Sequence, residues 1–479
     1  MNTSQIDFSL IKHIHFVGIK GIAMTALAVW AKEKGIKVTG SDTKEEFPSD
    51  PILRKSHIDV LVDFNTDHIS ETQPDLVIYT GAHSGRENVE VVAAVNLGIP
   101  TLPHGKALGL AMHGTKQISV AGSHGKTTTS AMIATIFLSA GRNPSYAIGC
   151  GEIGGLGMPG HYGNGDYFIA EADEYVTDPT HDKTPRFLWQ HPDILVVTNI
   201  DYDHPDAYAS LAAVQEAFVT FVGKQQGVKI TIVNADDPLS NPINKKLGTH
   251  VITYGLSNNA DYHIQNIVFH PGKTTFQLFH GKDKVGEFTL FVPGEHNVHN
   301  AAAAVVGCLS VGLSVRDIVK GLSKFSGAKR RFETIDTIRG VTFYDDYAHH
   351  PKEISSTLSA IRAWYKKDRL IVVFQPHTYS RTKSLLKDFG KAFSNADMVI
   401  TTDIYASARE TEKLGITGEL FAEEVKKHHA NVLYAPEYKD VLNVINSKTK
   451  RGDRIVFMGA GNMYVWGKDI VASFVHDHE

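Results

Sequence analysis

Residues 117–129 read QISVAGSHGKTTT, and the organisation of the chain follows from how this stretch is read. Gln117–Ala121 is a strand-type run, Gly122–Gly125 a turn, and Thr127 to about Ala140 a helical stretch. A glycine-rich turn between a strand and a helix lets backbone N–H groups close on phosphate oxygens at the positive end of the helix. In that setting Lys126 reaches the β- and γ-phosphates as a point charge, and the Thr127 hydroxyl is placed for Mg²⁺. The longer Walker spacing needs a glycine at position 120, where the chain has Val120, so the loop is a shortened variant. A chance Gly-Lys-Thr turn is the competing reading.

Further strand signals follow at Tyr167–Ala170, Ile194–Thr198 and Lys229–Val233, and a β-rich stretch from His250 to Val292 reads as hairpins appended to the same sheet. Upstream, His13–Val17 leads into Gly18-Ile19-Lys20-Gly21, a helix from Ile22 to Lys34 closed by Gly35, a strand at Ile36–Thr39 ending in Gly40-Ser41-Asp42, and another strand at Leu76–Tyr79. Downstream of about Arg330, strands at Val341–Tyr344, Leu370–Phe374, Met398–Thr401 and Arg454–Met458 alternate with helices. Each of the three segments has the strand–helix–strand pattern of a parallel α/β domain.

Composition narrows the function class. The 479 residues suit about three domains. With 42% hydrophobic residues, 21% charged residues and a net charge of −4, the chain is of globular type and has no basic stripe for nucleic acid. Cys150 and Cys308 are too few and too far apart for a disulfide framework or a metal cluster. The opening MNTSQIDFSLIK lacks the apolar core of a secretory signal, and no apolar run is long enough to span a bilayer. A cytoplasmic location without membrane or nucleic-acid partners is expected, as a monomer or homodimer.

Chemistry-bearing residues gather where strands end. Glu171-Ala172-Asp173-Glu174 closes one strand with the hard oxygens that Mg²⁺ takes; a solvated acidic turn is the alternative. Asn199 to Asp206 closes another with three carboxylates and His204. Gly294-Glu295-His296-Asn297-Val298-His299-Asn300 opens an alanine-rich helix, either as amides aimed at a base or ribose or as a capping cluster. In the third segment, YDDYAHHP (344–351) and FQPHTYSRT (374–382) each follow a strand, where open parallel sheets bind their ligands. Lys329-Arg330-Arg331 lies at the junction before them, as an ATP contact or a solvated linker. Gly459-Ala460-Gly461-Asn462 is a ligand turn or an ordinary one.

In order, HFVGIKGIAM, AGSHGKTTT, EADE, TNIDYDHPD, GEHNVHNAAAA, KRRFE, YDDYAHHP and FQPHTYSRT resemble the Mur ligases over essentially the whole chain. The resemblance implies a three-domain α/β architecture: an N-terminal Rossmann-like UDP-binding domain (1–112), a central P-loop ATPase domain (113–328) and a C-terminal Rossmann-like domain (329–479). It implies that Gly122, Ser123, His124, Gly125, Lys126, Thr127 and Thr128 hold ATP together with His296, Asn297, Asn300, Arg331 and Asp346. By the same resemblance Thr127, Glu171 and His204 take Mg²⁺, and Gly18, Ile19, Lys20, Gly21 and Asp42 take the UDP-sugar. Tyr347, His349, His377 and Arg381 line the amino-acid site, with Lys126, His204, His349 and Arg381 as the catalytic set. FQPHTYSRT points to the branch that joins L-alanine to UDP-N-acetylmuramate through an acyl phosphate, in peptidoglycan precursor synthesis. Residues 174–190 look instead like the branch that attaches a recycled L-Ala-γ-D-Glu-diaminopimelate tripeptide. Lys20 and Thr378 stand where the family often has glycine and arginine. A nicotinamide-dependent oxidoreductase is the alternative of a different class, but its G-x-G-x-x-G fingerprint fails at Lys20 and Ala23. A non-catalytic ATP-binding regulator leaves the third-segment clusters without a purpose.

Overall fold

A computed structural model describes residues 6–224, 230–243, 251–406, 410 and 412–476. Lys229 and His250, at the edges of two expected β segments, lie outside these. Three sheets follow one another along the chain.

The first sheet contains β1 (His13–Val17), β2 (Lys37–Asp42), β3 (Val60–Val62), β4 (Leu76–Tyr79) and β5 (Thr101–Pro103), in the order β3-β2-β1-β4-β5 with parallel pairing throughout. Every residue of β1 and β4 is buried, as expected for parallel strands covered on both faces. Strand order reverses between β1 and β4, so the crevice of this domain opens beyond Val17 and Tyr79. β2 continues through Gly40-Ser41-Asp42, where Gly40 and Ser41 pair with both β1 and β3 and Asp42 with β3.

The second sheet has ten strands. Its parallel core is β6 (Lys116–Ala121) between β9 (Tyr167–Ala172) and β12 (Ile194–Val197), with β7 (Ser145–Ala147) and β8 (Gly160–His161) on one side. On the other side lie β13 (Ile230–Asn234) and β14 (Val251–Gly255), followed by the antiparallel meander β15 (Tyr262–His270), β16 (Lys273–His280) and β17 (Asp283–Leu290). The appended hairpins expected from the sequence are this meander. Ala121 pairs with Ala172 and with Val197. The phosphate-loop turn therefore emerges with the EADE carboxylates on one flank and Thr198-Asn199 on the other. Helices Lys126–Ser139 and Glu295–Ser310 pack side by side over this sheet on an alanine- and isoleucine-rich core.

Outside that sheet, β10 (Val176–Asp178) and β11 (Asp182–Pro185) form a short hairpin. It explains the atypical 174–190 segment, which mounts the first domain on the second. The buried Asp178 carboxylate accepts the Arg86 N–H at 3.1 Å, Trp189 donates its indole N–H to Thr177 at 2.9 Å, and the Lys106 ammonium lies 4.3 Å from the Trp189 ring centre.

The third sheet is β18 (Glu333–Ile338), β19 (Val341–Asp346), β20 (Leu370–Phe374), β21 (Met398–Thr401), β22 (Val432–Tyr434) and β23 (Arg454–Met458), ordered β18-β19-β23-β20-β21-β22. Asp346 and Phe374 both pair with Met458, so the turns after β19, β20 and β23 share one edge. The edge strand β18, antiparallel to β19, carries no apolar alternation strong enough to be read from sequence. The domain also reaches back to the first, through the Tyr464 hydroxyl donating to Glu46 O at 2.9 Å.

Gly109 lies in helix His104–Ala111, and a Cβ there would sit 2.1 Å from the Trp189 carbonyl oxygen. Gly109→Ala is therefore expected to prise the first domain from the second and to cost roughly 1–3 kcal/mol, the usual scale of overpacking. Chemical denaturation measures this, and an unchanged midpoint would mean that the backbones do not approach so closely.

Candidate active site

The phosphate loop is shaped by Gly125, at φ +83°, where a Cβ would meet the Asn300 Oδ1 at 2.3 Å. Only glycine suits both the left-handed backbone and the close side chain. Beyond it Lys126 opens its helix, nearly enclosed. Its Nζ donates to Gly122 O at 2.5 Å and Ser123 O at 3.3 Å, and pairs with Glu174 Oε2 at 2.8 Å. Burial works against the ammonium, but Glu174 and the neighbouring Asp173 outweigh it and hold the lysine above its ordinary range.

From Lys126 a series of ionisable groups crosses the cleft. Glu174 Oε1 lies 3.9 Å from His204 Nε2, and that nitrogen lies 3.7 Å from Asp203 Oδ2. Asp203 Oδ1 lies 3.3 Å from Arg381 of the third domain. Burial opposes ionisation of Asp203, but His204 and Arg381 together hold its carboxyl well below the usual range. Arg381 also faces His377 Nδ1 at 3.3 Å. The rings of Tyr347, His349, His377 and Tyr405 follow one another at centroid distances of 5.1, 6.0 and 5.8 Å. The His349 Nδ1 hydrogen goes to the Tyr347 carbonyl at 2.9 Å, so a neutral ring keeps its Nε2 lone pair free of that bond. Burial pushes this imidazole down to about 4, so it is neutral near pH 7.

A second contact ties the lobes beside the loop. His124 donates Nε2–H to Asp201 and Nδ1–H to Glu353, each at 3.2 Å. Burial disfavours its charge, but the two carboxylates prevail and raise it to about 10. Lys352 Nζ joins Asp201 at 2.8 Å. His124, Asp201 and His350 bring ligand-type atoms within 4.8 Å of one another, which resembles a metal cluster. However, His350 Nδ1 accepts the Lys352 N–H, so Nε2 carries the hydrogen of that neutral ring. The Asp201 oxygen is also taken by Lys352. The cluster holds a proton on His124 and is not arranged for a cation.

Oxygens suited to a cation lie on the other flank. Thr127 donates its hydroxyl to Glu171 Oε2 at 2.9 Å, and Glu171 Oε1 accepts the Gly149 N–H at 2.6 Å. Burial nevertheless leaves the Glu171 carboxyl above its ordinary value despite Lys126, so the site lacks positive charge. Glu174 Oε1 is buried with no hydrogen-bond partner. Hard oxygens short of cation charge fit Mg²⁺.

A cavity of about 730 Å³ opens on the far side of the loop, lined by Gly125, Thr127, Thr128, His296, Asn297, Asn300, Arg331 and Asp346 among others. Gly122, Ser123 and Lys126, also expected around ATP, are not among its lining residues. Arg331 and Asp346 both line it without direct contact at ion-pair distance. Asp346 is instead fixed by the N–H groups of Phe332 (2.7 Å) and Ala348 (2.9 Å), and burial pushes it up to about 6.

The first-domain turn differs from expectation. Gly18 and Ile19 N–H groups go to Ser41 O, Lys20 N–H to the buried Asp42 carboxylate, and Gly21 N–H to Gly18 O. The Ile19 side chain lies in the core. The Lys20 ammonium is turned onto Thr43 O, Glu45 O and Asp50. These residues shape the turn, and the expected contact of Lys20 with a UDP-sugar has to be dropped for its side chain. His83, whose Nε2 lies 3.7 Å from Asp42 and whose ring packs on Phe64, faces the same crevice. The sequence reading missed it, as it missed Glu353; Glu174 and Asp203 lie in acidic clusters it singled out, without the partners they have here. A glutamate three residues after His350 was the legible capping signal for Glu353.

Comparisons with known proteins agree with this geometry. Residues 13–116 match the model of the Mur ligase family catalytic domain, 120–308 the Mur ligase middle domain, and 330–461 the Mur ligase glutamate ligase domain. The chain is 37% identical to the UDP-N-acetylmuramate–L-alanine ligase of Desulfitobacterium hafniense, over 96% of this chain and 99% of that protein. It is 37% identical to that of Clostridium novyi, over 95% and 96%. The crystal structure of the UDP-N-acetylmuramate–alanine ligase of Thermotoga maritima superposes with a TM-score of 0.81 at 27% identity, over 97% and 99% of the two chains. A murein peptide ligase from Psychrobacter arcticus shares the fold at a TM-score of 0.70 and 24% identity, over 97% and 98%. The three family domains in order, the full-length relatives and the cleft they enclose lead to one conclusion: the chain belongs to the Mur ligase family, among the UDP-N-acetylmuramate–L-alanine ligases.

Proposed function

We propose that the protein joins L-alanine to UDP-N-acetylmuramate at the cost of one ATP, and that the cleft between the second and third domains is where it does so. The observation that carries this reading is the charge path Lys126–Glu174–His204–Asp203–Arg381, which places the phosphate loop and the imidazole cluster of the third domain in one crevice. The substrates are cytoplasmic metabolites and place the enzyme there; among the described residues no helix is long and apolar enough to cross a membrane.

In the first step a muramyl carboxylate oxygen attacks the γ-phosphorus, the bond to the β–γ bridging oxygen breaks, and ADP leaves. Lys126 exchanges Glu174 for the β- and γ-phosphate oxygens, and the loop N–H groups orient them. Thr127 and Glu171, with His204, are the residues to hold Mg²⁺, which when bound neutralises charge on the transferring group. The adenosine moiety occupies the cavity lined by His296, Asn297 and Asn300. The UDP part of the donor lies in the β1/β4 crevice beside Gly18 and His83.

In the second step the amine nitrogen attacks the acyl carbon of the acyl phosphate, and phosphate departs from the tetrahedral intermediate. Arg381 and His377 hold the amino-acid carboxylate. His349 Nε2, on a neutral ring, accepts a hydrogen bond from the amine, whose extra proton is lost before it attacks. Closure of the lobes keeps water from the acyl phosphate.

Purified enzyme with UDP-N-acetylmuramate and ATP is expected to release ADP with L-alanine and not with the L-Ala-γ-D-Glu-diaminopimelate tripeptide; the reverse preference overturns the assignment. Lys126→Ala should lower turnover by about 10³-fold or more, the scale of charge-stabilising groups in phosphoryl transfer. Because it strands the buried Glu174 charge, it should also cost about 3 kcal/mol of stability. Adding Glu174→Gln should return the stability, read as a melting temperature, but not the activity. Arg381→Ala should raise the KM for L-alanine by about tenfold or more, as expected for a charged contact to a carboxylate, and leave ATP binding measured without amino acid nearly unchanged.

A further inference from the structure

Glu353 has no part in the scheme above, yet its carboxylate touches both sides of the cleft. It sits in the first turn of helix Pro351–Trp364. Its Oε2 accepts the backbone N–H of His349 at 3.1 Å and of His350 at 3.4 Å, and lies 3.4 Å from His349 Nδ1. Helix capping accounts for that oxygen, since Glu353 closes a capping box with His350. It does not account for Oε1, which takes the Nδ1–H of His124 in the phosphate loop, 229 residues away in sequence, at 3.2 Å. With the opposite nitrogen given to Asp201, His124 donates from both sides of its ring, as only an imidazolium does. The His124 backbone oxygen is meanwhile fixed by Thr198 Oγ1 at 2.6 Å and Asn199 Nδ2 at 3.0 Å.

We propose that Glu353 is a positioning residue for the ligation, holding the phosphate loop through His124 and the acceptor-side loop through the His349 and His350 N–H groups, so that the two half-sites take up their working geometry together. The proposal rests on the ligase reading above. Glu353 also lines the cavity given above to the adenosine moiety, so binding of ATP alone has to be measured beside the L-alanine KM. The Glu353 carboxylate transmits order between the nucleotide and acceptor sites because one rigid group serves both, which gives them a shared coupling energy. Arg331 also faces Glu353, so the junction between the domains bears on the same group.

Glu353→Gln separates this role from capping. The amide oxygen still accepts the His349 and His350 N–H groups, but its NH₂ can meet His124 Nδ1 only if that imidazole gives up its proton, so the charge-assisted bond across the cleft is lost. In the full-length enzyme with UDP-N-acetylmuramate at saturating ATP, the variant is expected to lose about tenfold or more in kcat/KM for L-alanine, mainly through KM, a loss within the usual span of coupling between sites. The dissociation constant of ATP alone should change by less than about threefold. His124→Gln should give a loss of similar size. The double variant should be no worse than the poorer single one, because both remove the same contact. A merely structural cap predicts independent losses that multiply and an L-alanine KM that does not move. Multiplying losses, or an unchanged kcat/KM for L-alanine in Glu353→Gln, overturn the proposal. If Glu353→Gln does not fold, His124→Gln leaves the capping box intact and must still raise the L-alanine KM, and an unchanged value overturns the proposal equally. A wild-type enzyme without L-alanine-dependent ADP release overturns the ligase reading and this proposal with it, whereas active wild type with multiplying losses overturns the proposal alone.

Discussion

A lysine ammonium enclosed by protein has to be compensated, and most of the cleft follows from how this is done for Lys126. Glu174 supplies the counter-charge at 2.8 Å. That carboxylate is itself buried, and its second oxygen, without a hydrogen-bond partner, lies 3.9 Å from His204 Nε2. His204 is followed by Asp203, and Asp203 by Arg381 on the other lobe. Each group in the series would be expensive to bury alone, and each lowers the cost of the next. Closure of the third domain onto the second is thus written into the electrostatics of the phosphate loop. Packing outside the charge series joins the lobes as well: Trp364 of the third domain donates its indole N–H to the buried Thr274 at 3.0 Å, and Ala360 lies close against Gly294.

The same series explains how a site can be both stable and receptive. Phosphate oxygens carry the charge that Glu174 carries, so they can replace it at Lys126 without leaving the ammonium unpaired. Thr127 and Glu171 lie apart from this exchange, where burial already leaves a carboxyl short of cation charge. Binding is then an exchange of partners within a fixed set of charges, with little net desolvation. The His124 contact works differently. Its two carboxylates come from different domains, so it reports on domain position more than on loop occupancy.

Much of this was legible in the sequence where local chemistry decides. Strand β1 has the bounds that its apolar run indicates, and the QISVAGSHGKTTT stretch folds as strand, turn and helix because glycine placement and periodicity both require it. Strand ends were less legible. Asp42, Glu171, Asp345 and Asp346 are all strand residues, although acidic residues at those places read as turns. Pairing with a neighbouring strand holds them in the sheet, on both sides for Asp345 and on one side for the others, and pairing is a long-range fact. The same limit applies to the site. The residues around ATP and the amino acid were found because they lie in motifs at strand ends. The crossing partners Glu174–Lys126, Asp203–Arg381 and Glu353–His124 join segments up to 229 residues apart, and nothing in spacing announces them. Lys20 shows the same limit: the resemblance puts it in the UDP-binding turn, whereas its ammonium is held by the carbonyl oxygens of Thr43 and Glu45 and by Asp50.

The acceptor end of the cleft shows where the fold carries strain. Thr378 has φ +64°, an outlier for a β-branched residue, worth on the order of 1–3 kcal/mol. Its N–H is tied to Tyr405 O, and His377 beside it bridges and stacks on Tyr405. These contacts overdetermine the turn and keep it in a conformation that the chain alone would leave. The strained turn starts the helix that carries Arg381. Relaxing Thr378 would swing the guanidinium away from Asp203 and break the charge series at its last member. Strain at position 378 and burial at position 126 are therefore two ends of one arrangement: the loop that needs compensation is served by an arginine that only a distorted turn can deliver.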